Sequence, residues 1–162
     1  MTPAQFNSLI LAPAAATLAS YQPSLDSPEA RCMMLAIAGQ ESNWTDRIQI
    51  PSGFARGFWQ CEEQGAVFDV IGEHDLALIC GIYSINVTPA TVWDAIGYND
   101  LVAYTVGRLR LWQDTATLPK IGDTAGSYAY YLRDWAPGAP SPTRWATVYP
   151  QAVAVINGGG IA

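Results

Sequence analysis

The chain has 162 residues, half of them hydrophobic, with 14 acidic against 8 basic side chains and a net charge of −6. A composition this apolar and this lightly charged supports a buried core rather than disorder, and the length suits one domain spanning 1–162. No basic run exists to neutralise phosphates, which argues against nucleic acid as a partner, and no stretch is long and apolar enough to span a membrane.

In chain order, Ser8 to Ala19 is apolar and Ala-rich and reads as a first amphipathic helix interrupted by Pro13. A cleaved secretion signal is the alternative, although its positive start is missing because no Lys or Arg precedes Arg31. Ser27-Pro28-Glu29 supplies an N-cap, a proline at the first helical position and an acid in the first turn. The apolar run from Cys32 to Ala38 then carries a helix of about four turns to Ser42 or Trp44.

Asp46 to Phe58 is rich in Gly, Pro and polar residues and reads as an irregular loop. A small β-wing fits between Arg47 and Val70, with Val67 to Ile71 as a brief strand. Helical patterns resume from His74 to Asn86. Thr88-Pro89 caps Ala90 to Ile96, Asn99-Asp100 caps Leu101 to Gln113, and Asp123 or Thr124 opens a helix through Tyr131 to Trp135. The segment from Trp135 to Pro140 is a rigid break, Ser141-Pro142 opens a last helix to Ile156, and Asn157 to Gly160 frays. The expected class is mainly α, either all-α or with a small β-wing in the Arg47 to Val70 region.

Cys32, Cys61 and Cys80 form no C-x-x-C pair, and His74 is the single histidine. The cysteines therefore read as buried free thiols of a reducing compartment, with no metal site and no cofactor expected. Glu41 is the candidate for chemistry. Met34, Ile37 and Ala38 precede it by seven, four and three residues, which places it on the apolar face of its helix. Desolvation there raises a carboxyl pKa, and the negative carbonyl end of the helix acts in the same direction. A carboxyl that keeps its proton near neutral pH is a general acid. A helix-end glutamate pointing into solvent explains the position equally well if it is taken alone.

Three segments follow one another: Ala38-Gly39-Gln40-Glu41-Ser42-Asn43-Trp44, then Gly57-Phe58-Trp59-Gln60, then Tyr128-Ala129-Tyr130-Tyr131. Together they resemble the lysozyme-like superfamily, in its soluble lytic transglycosylase and goose-type lysozyme branch, over about Arg31 to Tyr131. The style of Ala55 to Gln60 and of Tyr130 to Gly138 is similar to proteins of tailed phages. The resemblance implies a lysozyme-like fold and cleavage of the MurNAc-GlcNAc β-1,4 bond of peptidoglycan, by a muramidase or a lytic transglycosylase. It makes Glu41 the general acid and has Ser42 hold either that acid or the substrate's N-acetyl group. Gln60 would line the cleft floor, and Tyr130 would press on the acid or the sugar with Tyr131 beside it. Phe58-Trp59 stands where the family has Leu-Met, and Tyr131 where it often has Asn.

Most glycosidases pair two carboxylates across the bond, and Asp46, Glu62, Glu63 and Asp69 are the candidates for the second. Glu62 reads as a base for water, as a hydrogen-bonding anchor in the substrate site, or as a solvated loop charge. Without a second carboxylate, the family's single-acid route applies, in which the muramic C6 hydroxyl closes a 1,6-anhydro ring. Trp59 and Trp135 are the candidate sugar platforms, whereas Trp93, Trp112 and Trp145 read as core. Arg56 is either a partner for a peptide-stem carboxylate or a plain loop arginine, and Glu73-His74-Asp75 is an acidic helix start. The implied partners are the glycan strand and other virion proteins. The implied location is the virion, or the host cytoplasm before release. The competing reading is a lysozyme-fold virion assembly protein that has lost activity.

Overall fold

The computed structural model describes residues 1–158. Thr2 and Gln5 form a capping box, so the first helix begins before Ser8: α1 (Pro3–Phe6) runs through a π-turn (Asn7–Leu11) into α2 (Ala12–Tyr21). The π-turn is the answer to Pro13. A proline has no N–H to give and its ring crowds the carbonyl four residues back. Widening the preceding turn, with the Ala12 N–H bonded to the Asn7 carbonyl, carries the helix past it. Phe6, Leu11, Ala14, Ala15 and Leu18 of this segment are buried.

The next helix, α3 (Pro28–Ser42), starts where the sequence places its cap, with Ser27 Oγ accepting the Ala30 N–H at 3.1 Å. Every residue from Cys32 to Gln40 is buried, which makes α3 a central helix rather than an amphipathic one. It packs chiefly on α9 (Pro142–Ile156). Asn43 (φ +51) and Trp44 (φ +55) are left-handed and end it. They turn the Trp44 indole back under the helix, where Nε1–H donates to the Leu35 carbonyl at 3.0 Å. The ring lies against Gly39, and a Cβ there would sit 2.4 Å from it. Gly39→Ala is therefore expected to destabilise the protein by about 1–3 kcal/mol, against the ordinary helix preference for alanine. The urea midpoint measures it.

Beyond that turn, β1 (Ala55–Arg56) pairs antiparallel with β2 (Cys61–Glu62), and Ile48 bridges to Arg56, which forms the small wing. The expected strand at Val67 to Ile71 is instead a π-turn (Glu63–Val67) followed by α4 (Phe68–Val70). Val67 and Val70 are buried and Phe68 is exposed, so the apolar spacing is three, that of a helix. Next, α5 (His74–Ile82) ends short of Asn86, before a left-handed Ser84.

Three helices follow from their caps: α6 (Pro89–Ile96) from Thr88, α7 (Asp100–Gln113) from Asn99 and α8 (Thr124–Trp135) from Asp123. Ser141 caps α9. Asn157 and Gly158 form a turn, while Gly159 and Gly160 of the expected frayed end lie outside the described residues.

Among the described residues the architecture is mainly α with one two-stranded antiparallel sheet. No helix among the described residues is long and apolar enough to cross a membrane. Cys32, Cys61 and Cys80 are free and buried. Trp145 is core, with its ring stacked 4.8 Å from Tyr131 and 5.8 Å from Tyr149. Trp112, expected in the core, is 46% exposed, because it stands in the last turn of α7 and lines a cavity there. Trp93 is half-buried, with the Arg56 guanidinium 3.6 Å above its ring.

Candidate active site

Because α3 stops at Ser42, Glu41 stands in its last turn, at the edge of a cleft of about 690 Å³. The wing contributes Gln60 and Glu62, α4 and α7 contribute Asp69 and Arg110, and the other wall runs from Tyr131 through Trp135 to Arg144. Glu41 is half-buried. The Tyr131 O–H donates to its Oε1 at 2.6 Å, which orients the carboxyl of this cleft-lining residue. Tyr131 is in turn fixed by its stack on Trp145 and on Tyr128 at 6.0 Å.

Burial holds the Glu41 carboxyl above the ordinary glutamate range, and the Tyr131 hydrogen bond and the Arg144 charge pull against that rise. Burial and the adjoining carboxylate push the Tyr131 phenol upward, so it stays a donor. Arg144 donates from Nη1 to the Gln40 carbonyl at 3.0 Å, beside the acid. A desolvated carboxyl that is held by one hydrogen bond and lines a cleft can deliver a proton to an oxygen placed there.

The other sequence candidates separate into two groups. Gln60, Glu62, Tyr131 and Trp135 line the cleft with Glu41. The Gln60 amide nitrogen donates to the carbonyls of Asp46 (3.1 Å) and Gly57 (2.8 Å), which ties the wing turn to the loop after α3. Glu62 is exposed, while Asp69 is ion-paired with Arg110.

Ser42, Trp59 and Tyr130 do not line the cleft. Ser42 is buried, and its hydroxyl donates back to the Ala38 carbonyl at 2.8 Å, the usual outlet for a serine inside a helix. Trp59 is 0% exposed, with Nε1–H donating to the Met34 carbonyl at 2.8 Å and ring edges against Phe6 and Tyr104. It is a core residue and offers no sugar platform. Tyr130 is also buried, and its hydroxyl donates to the Leu111 carbonyl at 3.1 Å. One residue along a helix is a rotation of about 100°, so Tyr131 faces the cleft and Tyr130 faces α7. Asp46 and Glu63 stand outside the lining, and Arg56 pairs with Asp94 at 2.5 Å.

Sequence reasoning missed the two cleft cations, Arg110 and Arg144. Both lie on helices far along the chain from Glu41, and the packing of α9 on α3 is what delivers Arg144. Its position three residues after the Ser141 cap fixed only its helix, not its neighbour. Among the described residues, no group of three or more His, Cys, Asp or Glu side chains could hold a metal ion. In comparison with known proteins, the chain matches no protein-family model, no curated protein and no solved structure.

Proposed function

We propose that this chain is a lysozyme-like glycosidase that cleaves the MurNAc-GlcNAc β-1,4 bond of peptidoglycan, with Glu41 as the general acid. The observation that carries the reading is the Glu41–Tyr131 pair: a carboxyl raised by burial, oriented by a phenol and open to a cleft. Glu41 protonates the glycosidic oxygen as the bond breaks. In one route Glu62, the exposed cleft carboxylate, activates water as the base. In the other, the ionised Glu41 accepts the proton of the muramic C6 hydroxyl, and a 1,6-anhydro ring closes without water. Trp135 is the sugar platform on the cleft wall. The chain acts on the wall from the virion, or after leaving the host cytoplasm, alongside other virion proteins.

The inactive assembly-protein alternative calls for an acid loose in solvent or a cleft filled by Trp59 and Tyr131. Glu41 is half-buried and Trp59 lies in the core, which favours the enzyme. Clearing of purified peptidoglycan suspensions is the test, and an inert wild-type protein would overturn the proposal. Mass spectrometry of the released fragments separates anhydro from reducing ends.

Activity requires protonated Glu41, so it falls as pH rises through that group's pKa. The Tyr131 hydrogen bond stabilises the ionised form and lowers the pKa. Tyr131→Phe is therefore expected to move the alkaline limb of the kcat/KM profile to higher pH. An unmoved limb would show that the titrating acid is another group.

A further inference from the structure

A separate cavity of about 620 Å³ shares no lining residue with the Glu41 cleft. It lies between the end of α7, the segment 114–120 and the start of α3, and Arg108 and Trp112 line it. Arg108 is only 2% exposed, yet among the described residues it has no ion-pair partner. Its Nε–H donates to the Leu25 carbonyl at 2.6 Å, its Nη1 is buried with no partner, and its guanidinium carbon is 5.3 Å from the centre of the Trp112 ring. Asp26, the acid that acts on it through space, is held by two bonds of 2.7 Å from Arg31. A buried cation without a counter-charge is unfavourable, so this position favours an anion from solution.

The rest of the lining limits which anion fits. Trp112 is 46% exposed and presents a flat apolar face one turn beyond Arg108. Ser24, Ser27 and Thr117 offer hydroxyls, Glu29 offers acceptor oxygens and Lys120 a second cation, whereas Asp114 is engaged by Arg133 and by the Ala116 N–H. The Glu29 carboxylate accepts hydrogen bonds from sugar hydroxyls. An aromatic face beside several short polar groups suits a pyranose ring, and one buried guanidinium suits one carboxylate.

We propose that this cavity is a second ligand site that takes an acidic sugar, with its carboxylate on Arg108 and its ring on Trp112. The proposal does not depend on the chemistry assigned to Glu41. The probes are D-glucuronate and N-acetylmuramate, with glucose and N-acetylglucosamine as their neutral counterparts and acetate as the bare carboxylate. Titration of the ¹⁵N-labelled protein follows the indole N–H signals, with that of Trp112 assigned through Trp112→Phe.

A saturable shift of the Trp112 signal is expected with at least one acid, and the neutral counterparts should bind about tenfold more weakly or worse, as loss of a charged hydrogen bond implies. The tighter acid identifies the source: a glycan strand freed of its stem peptides for N-acetylmuramate, a uronic acid polymer for glucuronate. A shift at Trp135 alone would place the sugar in the other cleft and overturn the proposal. So would equal binding of glucose and glucuronate, acetate binding as tightly as the acids, or no saturable shift with either acid. Arg108→Met should abolish binding, measured by calorimetry. Trp112→Ala, at an exposed position, should weaken it even if the Arg108 variant fails to fold.

Discussion

Glu41→Gln is expected to lower the rate of peptidoglycan clearing by about 100- to 10,000-fold, the range that a positioned general acid supplies. Glutamine keeps the shape of the side chain and an oxygen for the Tyr131 hydroxyl, but it has no proton to give. Stability should change in the opposite direction. The folded-state pKa of Glu41 is raised by burial, so the protonated carboxyl favours folding below the unfolded-state pKa, and that contribution is lost as pH rises through the folded value. Above the folded-state pKa the wild type carries a desolvated charge that the glutamine variant lacks. Denaturant midpoints should therefore favour Glu41→Gln increasingly as pH rises through that pKa, and converge with the wild type in acid. A slow variant of undiminished stability would assign the loss to chemistry rather than to unfolding. Full clearing by Glu41→Gln would place the acid elsewhere.

That Glu41 could be placed on an inner helix face by reading the chain rests on local signals. Ser27-Pro28-Glu29 marks the start of α3, and the apolar run after it carries Glu41 to the inner face of the last turn. The same short-range punctuation at Thr88, Asn99, Asp123 and Ser141 marks four further helices. Signals failed where the outcome depends on distant packing. The Gly57-to-Gln60 turn is a loop edge in sequence, but it tucks inward against α3 because the Trp59 indole finds the Met34 carbonyl there. Tyr130 and Tyr131 are indistinguishable in composition, and only the position of α8 between α7 and α9 decides which one meets Glu41. Pro13 suggests a break, and one wide turn absorbs it. Arg144 is invisible as a site residue until α9 lies along α3.

The correction at Trp59 carries the largest expected effect on stability. Trp59→Ala should destabilise the protein by about 3–5 kcal/mol, the range for truncating a large buried aromatic. That is a large share of the 5–15 kcal/mol typical of a domain. The melting temperature should fall by about 6–20 °C. The side chain's own contacts account for it: the indole bond to the Met34 carbonyl and the edge-on packing with Phe6 and Tyr104, whereas the Trp135 indole, which donates to the backbone carbonyl of residue 59 at 3.3 Å, keeps its partner in the variant. Trp135→Ala, on the cleft wall and half-buried, should instead raise KM with a smaller loss of stability. Calorimetric melting and steady-state kinetics on the two variants distinguish the roles. A Trp59→Ala protein that melts normally yet binds glycan poorly would return Trp59 to the substrate site. Severe destabilisation of Trp59→Ala, with KM hardly changed in the milder Trp59→Phe, would place it in the framework that holds the wing against α3. In that framework Trp59 reaches the chemistry only through α3, because the Met34 carbonyl it bonds lies on the helix that carries Glu41.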